Sequence, residues 1–512
     1  MDKQLQRDEL ISTGSINVKD IYQSARIAQK TIAQFSLVER VQMLERMRDY
    51  IIQHQESIVT KVQDETNKCL SDTFIGEIFG VLEHLDYLIK NAPKILGEKK
   101  IHTPLAMFGK KSRLFTDPLG VILIISPWNY PFYQAIVPIT SAFITGNAVI
   151  YKPSEITPLK GLIEEILLHA FRGAGSWAQV IYGDGKVGAQ LVKGGPDKIF
   201  FTGSVNTGKK IMKEASETLT PVELELGGKD PMIVFEDANI YRAVKGAIWG
   251  AMTNCGQSCT SVERLYLHES IYSDFKSELV KQVNKLTQGV DKDGSSDIGE
   301  MTSLAQIEII KSHLEDALSK GAIQLTGQSW DKKSQAIPPI VLDNVNNSML
   351  VATEETFGPI LPLFKFETQE EVIRLANDSV YGLTASVWSE DTKRAAQVAH
   401  QLECGGVSIN NVMITEGNHA LPFGGVKNSG IGRYKGEIGL YSFCNLKSII
   451  IDGGHNKTDA NWYPYTAQKY KLFQKMTFGL LGGRMSGLKD FALHGLKLES
   501  LSNKLGKKAS ED

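Results

Sequence analysis

Two short stretches of this 512-residue chain carry side chains fit for covalent chemistry: Asn254-Cys255-Gly256-Gln257-Ser258-Cys259 and, upstream, Glu225-Leu226-Gly227-Gly228-Lys229. Cys259 reads as a nucleophile, because it lies in a loop of Asn, Gly, Gln and Ser whose backbone N–H groups can approach a developing oxyanion. A thiol near its free pKa is mostly protonated at neutral pH, and freeing an acyl group from sulfur needs an activated water. Glu225 reads as the base for that water, since Gly227 and Gly228 let the backbone turn and leave the carboxylate beside a cavity. The competing readings are an inert core thiol and a solvated acid at a strand end. Cys255 keeps the inert reading, and Glu355, next to Glu354, reads by itself as surface.

Other motifs bear on a cofactor or a metal. Gly183-Asp184-Gly185-Lys186-Val187-Gly188 matches the dinucleotide fingerprint after a predicted strand, yet no acid follows about twenty residues on to hold a ribose. Gly203-Ser204-Val205-Asn206-Thr207-Gly208-Lys209-Lys210 comes within one residue of a phosphate-binding P-loop, but Lys210 stands where Ser or Thr would ligand magnesium. A strand followed by Gly-Ser and a helix still offers free N–H groups to a pyrophosphate. Cys255, Cys259 and His268 lack a fourth ligand at useful spacing, so no metal is expected.

Elements must hold these residues in place. Short β-branched runs at 121–125, 148–151, 179–182 and 199–201 alternate with helical segments, a rhythm that predicts a parallel sheet with ligands at the carboxyl ends of its strands. The rhythm repeats after Glu225, with strands at 232–235, 262–267, 340–342, 360–366 and 407–409 and helices at 240–253, 304–319 and 392–400. Helices are expected over 17–98, with Asn67 closing one in a left-handed cap. Residues 110–117 read as a hairpin strand and 441–452 as a closing strand.

Composition is that of a globular protein, 42% apolar and 22% charged, with a net charge of −2 that gives nucleic-acid binding no support. Five cysteines scattered over the chain fit a reducing, cytoplasmic setting better than a disulfide framework. No signal peptide is read at the N-terminus, and no apolar run has the roughly 18–20 residues that spanning a bilayer requires.

Seven motifs in order resemble the aldehyde dehydrogenase superfamily over about residues 20–452. They are Pro127-Trp128-Asn129-Tyr130-Pro131, Lys152-Pro153-Ser154-Glu155, Phe201-Thr202-Gly203-Ser204, Glu225 to Lys229, Gly256 to Cys259, Glu355-Thr356-Phe357-Gly358-Pro359 and Pro422-Phe423-Gly424-Gly425. The resemblance implies an α/β fold with a parallel-sheet cofactor domain (1–108 and 119–226), an α/β catalytic domain (227–440) and a small β bridging element (109–118 and 441–452). It implies that Cys259 attacks an aldehyde, that the Asn129 amide and the Cys259 N–H hold the oxyanion, and that Glu225 activates the water that releases the acid. Lys152 and Glu155 would hold the adenosine ribose, Gly203 and Ser204 the phosphate and nicotinamide portion, Glu355 and Phe357 the nicotinamide ribose. Trp128, Gly185 and Gly208 complete the implied cofactor set. Glu155 favours NAD, since its charge repels a 2′-phosphate, with NADP left open. A homodimer or homotetramer is implied. The acylating type, which passes the acyl group to coenzyme A, expects no base at Glu225, and a non-catalytic binding protein would not need Cys259, Glu225 and Asn129 together.

One departure is a C-terminal extension, 453–512, in which residues 466–512 carry nine Lys or Arg against four Asp or Glu among recurrent Leu and Phe. This basic amphipathic segment reads either as a peripheral membrane contact or as a helix packed on the body or on a partner subunit.

Overall fold

The computed structural model describes residues 17–171, 177–331, 334–455, 458–482 and 487–508. Two compact units divide the chain. One takes the described residues up to Gly97 together with Phe115–Lys447, and the other takes Glu98–Leu114 and the described residues from Ser448 onward.

The first unit holds both large sheets. From edge to edge, the six-stranded sheet runs Gly430–Ile431, Val222–Glu225, Lys198–Thr202, Val121–Ile125, Ala148–Lys152 and Ala178–Val180. Its pairings are parallel except at the Gly430–Ile431 edge. Every residue of Val121–Ile125, Ala148–Lys152 and Lys198–Thr202 is buried, the pattern of a sheet covered on both faces. The cover includes the helix Tyr133–Ile144, all of whose residues are buried, as an apolar helix with no polar face must be. The helix Leu37–Gln53, which packs on that helix, starts at a capping box in which Ser36 and Glu39 satisfy each other's backbone N–H groups.

The seven-stranded sheet has the order Ile323–Gln324, Ile340–Asp343, Ile360–Phe366, Val262–His268, Asp230–Val234, Thr384–Trp388 and Gly406–Ile409, antiparallel only at its first pair. The inner strand Thr384–Trp388 has no counterpart in the sequence reading, because Thr-Ala-Ser-Val-Trp has no apolar run and its alternation is brief. The strand expected at 179–182 is Ala178–Val180. The closing strand expected at 441–452 is Cys444–Ile451, since residues 441 and 442 end the helix Gly436–Ser442. Phe423, Tyr434, Leu440 and Phe443 pack into the core of the first sheet.

A third, three-stranded sheet orders Lys99–Ile101, Lys111–Pro118 and Cys444–Ile451. In the second unit, the helices Ala467–Leu481 and Gly487–Lys508 form a hairpin whose close approach depends on glycine. A β-carbon on Gly487 would lie 2.1 Å from the Gly479 carbonyl oxygen.

Candidate active site

Two of the predicted reactive residues come from a strand end and from the loop after a strand, at the carboxyl edge of a parallel sheet, and the third comes from a loop that leads into a strand. Asn129 lies in the loop after Val121–Ile125, and Glu225 is the last residue of Val222–Glu225. Cys259 lies between the helix Ile240–Met252 and the strand Val262–His268.

The Cys259 loop is built on left-handed backbone. Asn254 and Cys255 have φ of 50° and 55°, and Gly256 follows at 71°. Two consecutive non-glycine residues there cost on the order of 1–2 kcal/mol each, and a set of side-chain bonds holds them. Asp72 accepts from the Thr253 hydroxyl at 2.8 Å and from the Asn254 N–H at 2.7 Å. The Asn254 amide donates to the carbonyls of Asn129 (3.1 Å) and Gln257 (3.0 Å). Asn129 Nδ2 also donates to the Gln257 carbonyl, at 3.0 Å. The amide of Asn129 is thus tied to the backbone two residues before Cys259. Cys255 is fully buried in the second core, as the inert reading has it.

Glu225 is 4% exposed, and among the described residues neither of its carboxylate oxygens has a hydrogen-bond partner. Burial pushes its carboxyl well above the usual range; Glu223 adds to this, while Arg433 and Lys435 oppose it. Burial also raises the half-buried Cys259 thiol, followed by Glu416, Glu355, Asp230 and Glu225. The two glycines between Glu225 and Lys229 make room for the site. A β-carbon on Gly227 would lie 2.2 Å from a Glu355 carboxylate oxygen, and one on Gly228 would lie 2.2 Å from the Cys259 carbonyl oxygen. Glu355 accepts from the Gly228 N–H at 3.0 Å, and burial pushes its pKa up to about 8. Glu355 is therefore part of the site and not the solvated surface acid that its neighbour Glu354 suggests.

A model of the aldehyde dehydrogenase family matches residues 9–449. The chain belongs to the aldehyde dehydrogenase family. It is similar to 4,4'-diapolycopene aldehyde oxidase of a Methylomonas species, with 40% identity over 442 residues that span 86% of this chain and 82% of that one. Among solved structures it is similar to a betaine aldehyde dehydrogenase from Staphylococcus aureus in complex with NAD+, with TM-score 0.79, 32% identity, and coverage of 88% of this chain and 90% of that one. It is also similar to an NADP-dependent enzyme from E. coli, with TM-score 0.81, 29% identity, and coverage of 85% and 90%. The fold is that of an aldehyde dehydrogenase, and the activity is NAD(P)-dependent aldehyde oxidation.

The residues of this aldehyde dehydrogenase suit such a cofactor. Lys152, 4% exposed at the end of its strand, pairs with the exposed Glu155 at 3.0 Å, which leaves carboxylate capacity facing solvent. Asp184 caps the helix Gly185–Lys193 by accepting from the Lys186 and Val187 N–H groups, so the fingerprint segment holds its helix start with its own carboxylate. Gly185 itself has open space where a side chain would project. Ser204 caps the helix Val205–Ala215, and Gly203 donates its N–H to the Glu225 carbonyl at 3.0 Å. The Thr202 hydroxyl is buried without a partner beside them. Gly208 also lies close to Leu226, since a β-carbon there would lie 2.7 Å from that side chain. Trp128 and Phe357 meet edge to face at 5.4 Å.

Several residues that shape the site escaped the sequence reading. Glu77 lies in a π-helical turn, Phe74–Phe79, and pairs with the fully buried Lys68. Lys68 donates to the Asn129 carbonyl at 2.6 Å, while Glu77 accepts from the Phe132 and Tyr133 N–H groups at 3.1 and 2.8 Å. Lys229 pairs with Glu263 at 2.6 Å, and Glu263 accepts from the N–H groups of Thr356 (2.8 Å) and Phe357 (2.9 Å). Glu416, His419, Arg433 and Lys435 come from the segment beyond residue 410, where only the Pro-Phe-Gly-Gly motif stood out. A π turn within a helix is the one general signal that marks such a place, and it has no sequence signature.

Proposed function

We propose that this aldehyde dehydrogenase is hydrolytic and runs through a covalent thioacyl intermediate on Cys259. The reading is carried by a convergence: a thiol, an amide tied to the thiol's own loop, and a buried carboxylate that nothing holds. Cys259 attacks the aldehyde carbonyl, and Asn129 Nδ2 with the Cys259 N–H receives the developing oxyanion. When bound, the nicotinamide supplies the hydride acceptor that converts the thiohemiacetal to a thioester. Glu225, with neither oxygen engaged, takes a proton from the water that releases the acid. Lys152, Glu155, Gly185, Gly203, Ser204, Gly208, Trp128, Glu355 and Phe357 serve the cofactor, with NAD preferred because Glu155 stands ready to accept from a ribose hydroxyl.

The same reading divides the chain into a cofactor domain (1–108 and 119–226), a catalytic domain (227–440), bridging strands (109–118 and 441–452) and the extension 453–512, in a homodimer or homotetramer. All five cysteines are free, which suits a cytoplasmic setting. An apolar aldehyde is the substrate class we favour. Tyr130 and the buried Tyr133 and Tyr434 all feel the charge of Cys259, and the 40% identical relative is named 4,4'-diapolycopene aldehyde oxidase. Peripheral contact of the extension with an anionic membrane belongs to the same reading.

NADH formation from a panel of aldehydes, with and without coenzyme A, tests the mechanism. Cys259→Ala is expected to abolish turnover. Glu225→Gln is expected to leave a burst of NADH and lower the steady state by about 10²–10⁴-fold, with no stimulation of the wild type by coenzyme A. Wild-type rates in both variants would refute it.

A further inference from the structure

The strand Val262–His268, which follows the nucleophile's loop, breaks its register at one residue. Asp230 pairs with Val262 and Pro231 with Arg264, so Glu263 is passed over as a bulge. A bulge re-aims a side chain out of the regular alternation, and bulges gather beside active sites. Glu263 is 2% exposed and pairs at 2.6 Å with Lys229, itself 1% exposed. Its two oxygens accept from the N–H groups of Thr356 at 2.8 Å and Phe357 at 2.9 Å. Lys229 stands four residues after Glu225 and Glu263 four after Cys259, so each reactive motif supplies one member of the pair. A buried ion pair adds little net stability over apolar side chains of the same volume, and stability alone does not call for charges at this bulge.

The pair grips one residue completely. Thr356 is 1% exposed, and each of its polar atoms is engaged. Glu263 takes its N–H, Gln306 Nε2 donates to its carbonyl at 2.9 Å, and its hydroxyl meets Lys229 Nζ and His313 Nδ1, each at 3.2 Å. Its neighbours Glu355 and Phe357 are only half-buried. Phe357 needs the grip, because its φ of 51° lies in the left-handed region, which strains a residue with a β-carbon. The loop is also fitted closely to both reactive motifs. A β-carbon on Gly227 would lie 2.2 Å from a Glu355 carboxylate oxygen, and one on Gly256 would lie 2.4 Å from the Gly358 carbonyl oxygen.

We propose that Lys229 and Glu263 are positioning residues for the cofactor: by fixing Thr356 they hold Glu355 and Phe357 in place for the nicotinamide ribose before the cofactor binds. This rests on the proposed cofactor roles of Glu355 and Phe357 and assigns the residues that preorganise them.

Binding of NADH or NADPH, whichever the wild type takes more tightly, reads this without turnover through the fluorescence of the reduced nicotinamide. For Glu263→Gln the Kd is expected to rise at least about tenfold, since charge-assisted bonds to two N–H groups of the loop are lost. ADP, which has no nicotinamide ribose, is expected to bind within about twofold of the wild type by calorimetry. If Glu263→Gln does not fold, the double variant Lys229→Met with Glu263→Gln takes its place, because it leaves no charge buried alone, and the same split is expected of it. A folded variant that binds the reduced cofactor as the wild type does, or that loses ADP to the same extent, overturns the role of the pair. Phe357→Ala tests the underlying reading separately. Unchanged cofactor affinity there removes the ribose from this loop, whereas weakened affinity there with none in Glu263→Gln leaves the loop its ligand and the pair without its role.

Discussion

A carboxylate that is to take a proton from water must not already be engaged, and Glu225 shows what that freedom costs. Both of its oxygens are buried without a partner among the described residues, where charge is disfavoured. Its folded-state pKa lies well above the usual carboxylate range, through burial first and Glu223 second. The folded protein therefore holds a proton that the unfolded chain releases. This contributes stability below about pH 4.3, the unfolded value, and the contribution is lost as pH rises toward the folded pKa. Glu225→Gln has nothing to lose over that window. Its melting temperature relative to the wild type is expected to rise with pH, corresponding to about 1–3 kcal/mol at alkaline pH and shrinking toward zero near pH 4. Thermal unfolding of both proteins from about pH 4 to 9 checks this, and a constant difference would show that the carboxyl does not titrate on unfolding. The same acid whose charge is costly for stability is the one the deacylation step requires, the usual conflict at a working site.

At the scale of elements, the nucleophile's loop and the amide's loop are fixed by a helix that touches neither reacting atom. The π turn Phe74–Phe79 presents Glu77 to Lys68 and to the Phe132 and Tyr133 N–H groups, and Lys68 in turn holds the Asn129 carbonyl. Gly76 and Gly80 let that turn press against Tyr130 and Tyr133, where β-carbons would come within 2.8 and 2.9 Å of the rings. Breaking a buried ion pair by removing one charge costs about 3–5 kcal/mol. Glu77→Gln is expected to lose that much stability in urea unfolding. It is also expected to lower kcat at least about tenfold through a displaced Asn129, because geometry at an oxyanion donor carries such factors. A variant that loses stability but keeps kcat would separate the clamp from the oxyanion site. The sequence made one end of this arrangement legible. Asn67 does cap its helix in the left-handed region, φ 58°, and Cys259, Glu225 and Asn129 stand in motifs short enough to read directly. Lys68, Glu77, Glu416 and Lys435 were not legible, because each acts through residues far away in the chain: Lys68 meets Asn129 and Lys435 meets Tyr133 only once the sheets are built. The rhythm of β-branched runs found most strands for a similar reason in reverse, since strands buried on both faces need no distant partner to be apolar. The inner strand Thr384–Trp388 broke that rule with small polar residues and went unread.

For the whole molecule, the open question of physical chemistry is the extension, which the family match ending at residue 449 leaves out. Its two helices bury one face against each other, through Gly479, Gly487, Phe491, Leu498 and Ser502. The other faces carry Tyr470, Phe478 and Leu481 on the first helix and Leu488, Leu493 and Leu496 on the second, all exposed. Lysines flank them: Lys471 and Lys475 on the first, Lys489 and Lys497 on the second, exposed as well. Apolar side chains ringed by lysines suit the boundary between anionic headgroups and acyl chains, where the lysine stems lie along apolar surface and the ammonium groups reach phosphate. No described helix is long and apolar enough to cross a membrane. Positive charge is concentrated in residues 466–512, nine Lys or Arg against four Asp or Glu in a chain of net charge −2, which leaves the remaining residues net negative. Each lysine near an anionic surface contributes about 1 kcal/mol, screened by salt. The full-length protein is therefore expected to co-sediment with phosphatidylglycerol vesicles and not with phosphatidylcholine vesicles, and to be released by high salt. The variant with Lys489→Glu and Lys497→Glu is expected to partition at least about tenfold less. Equal recovery of the wild type in the supernatant with both lipids would end the membrane reading.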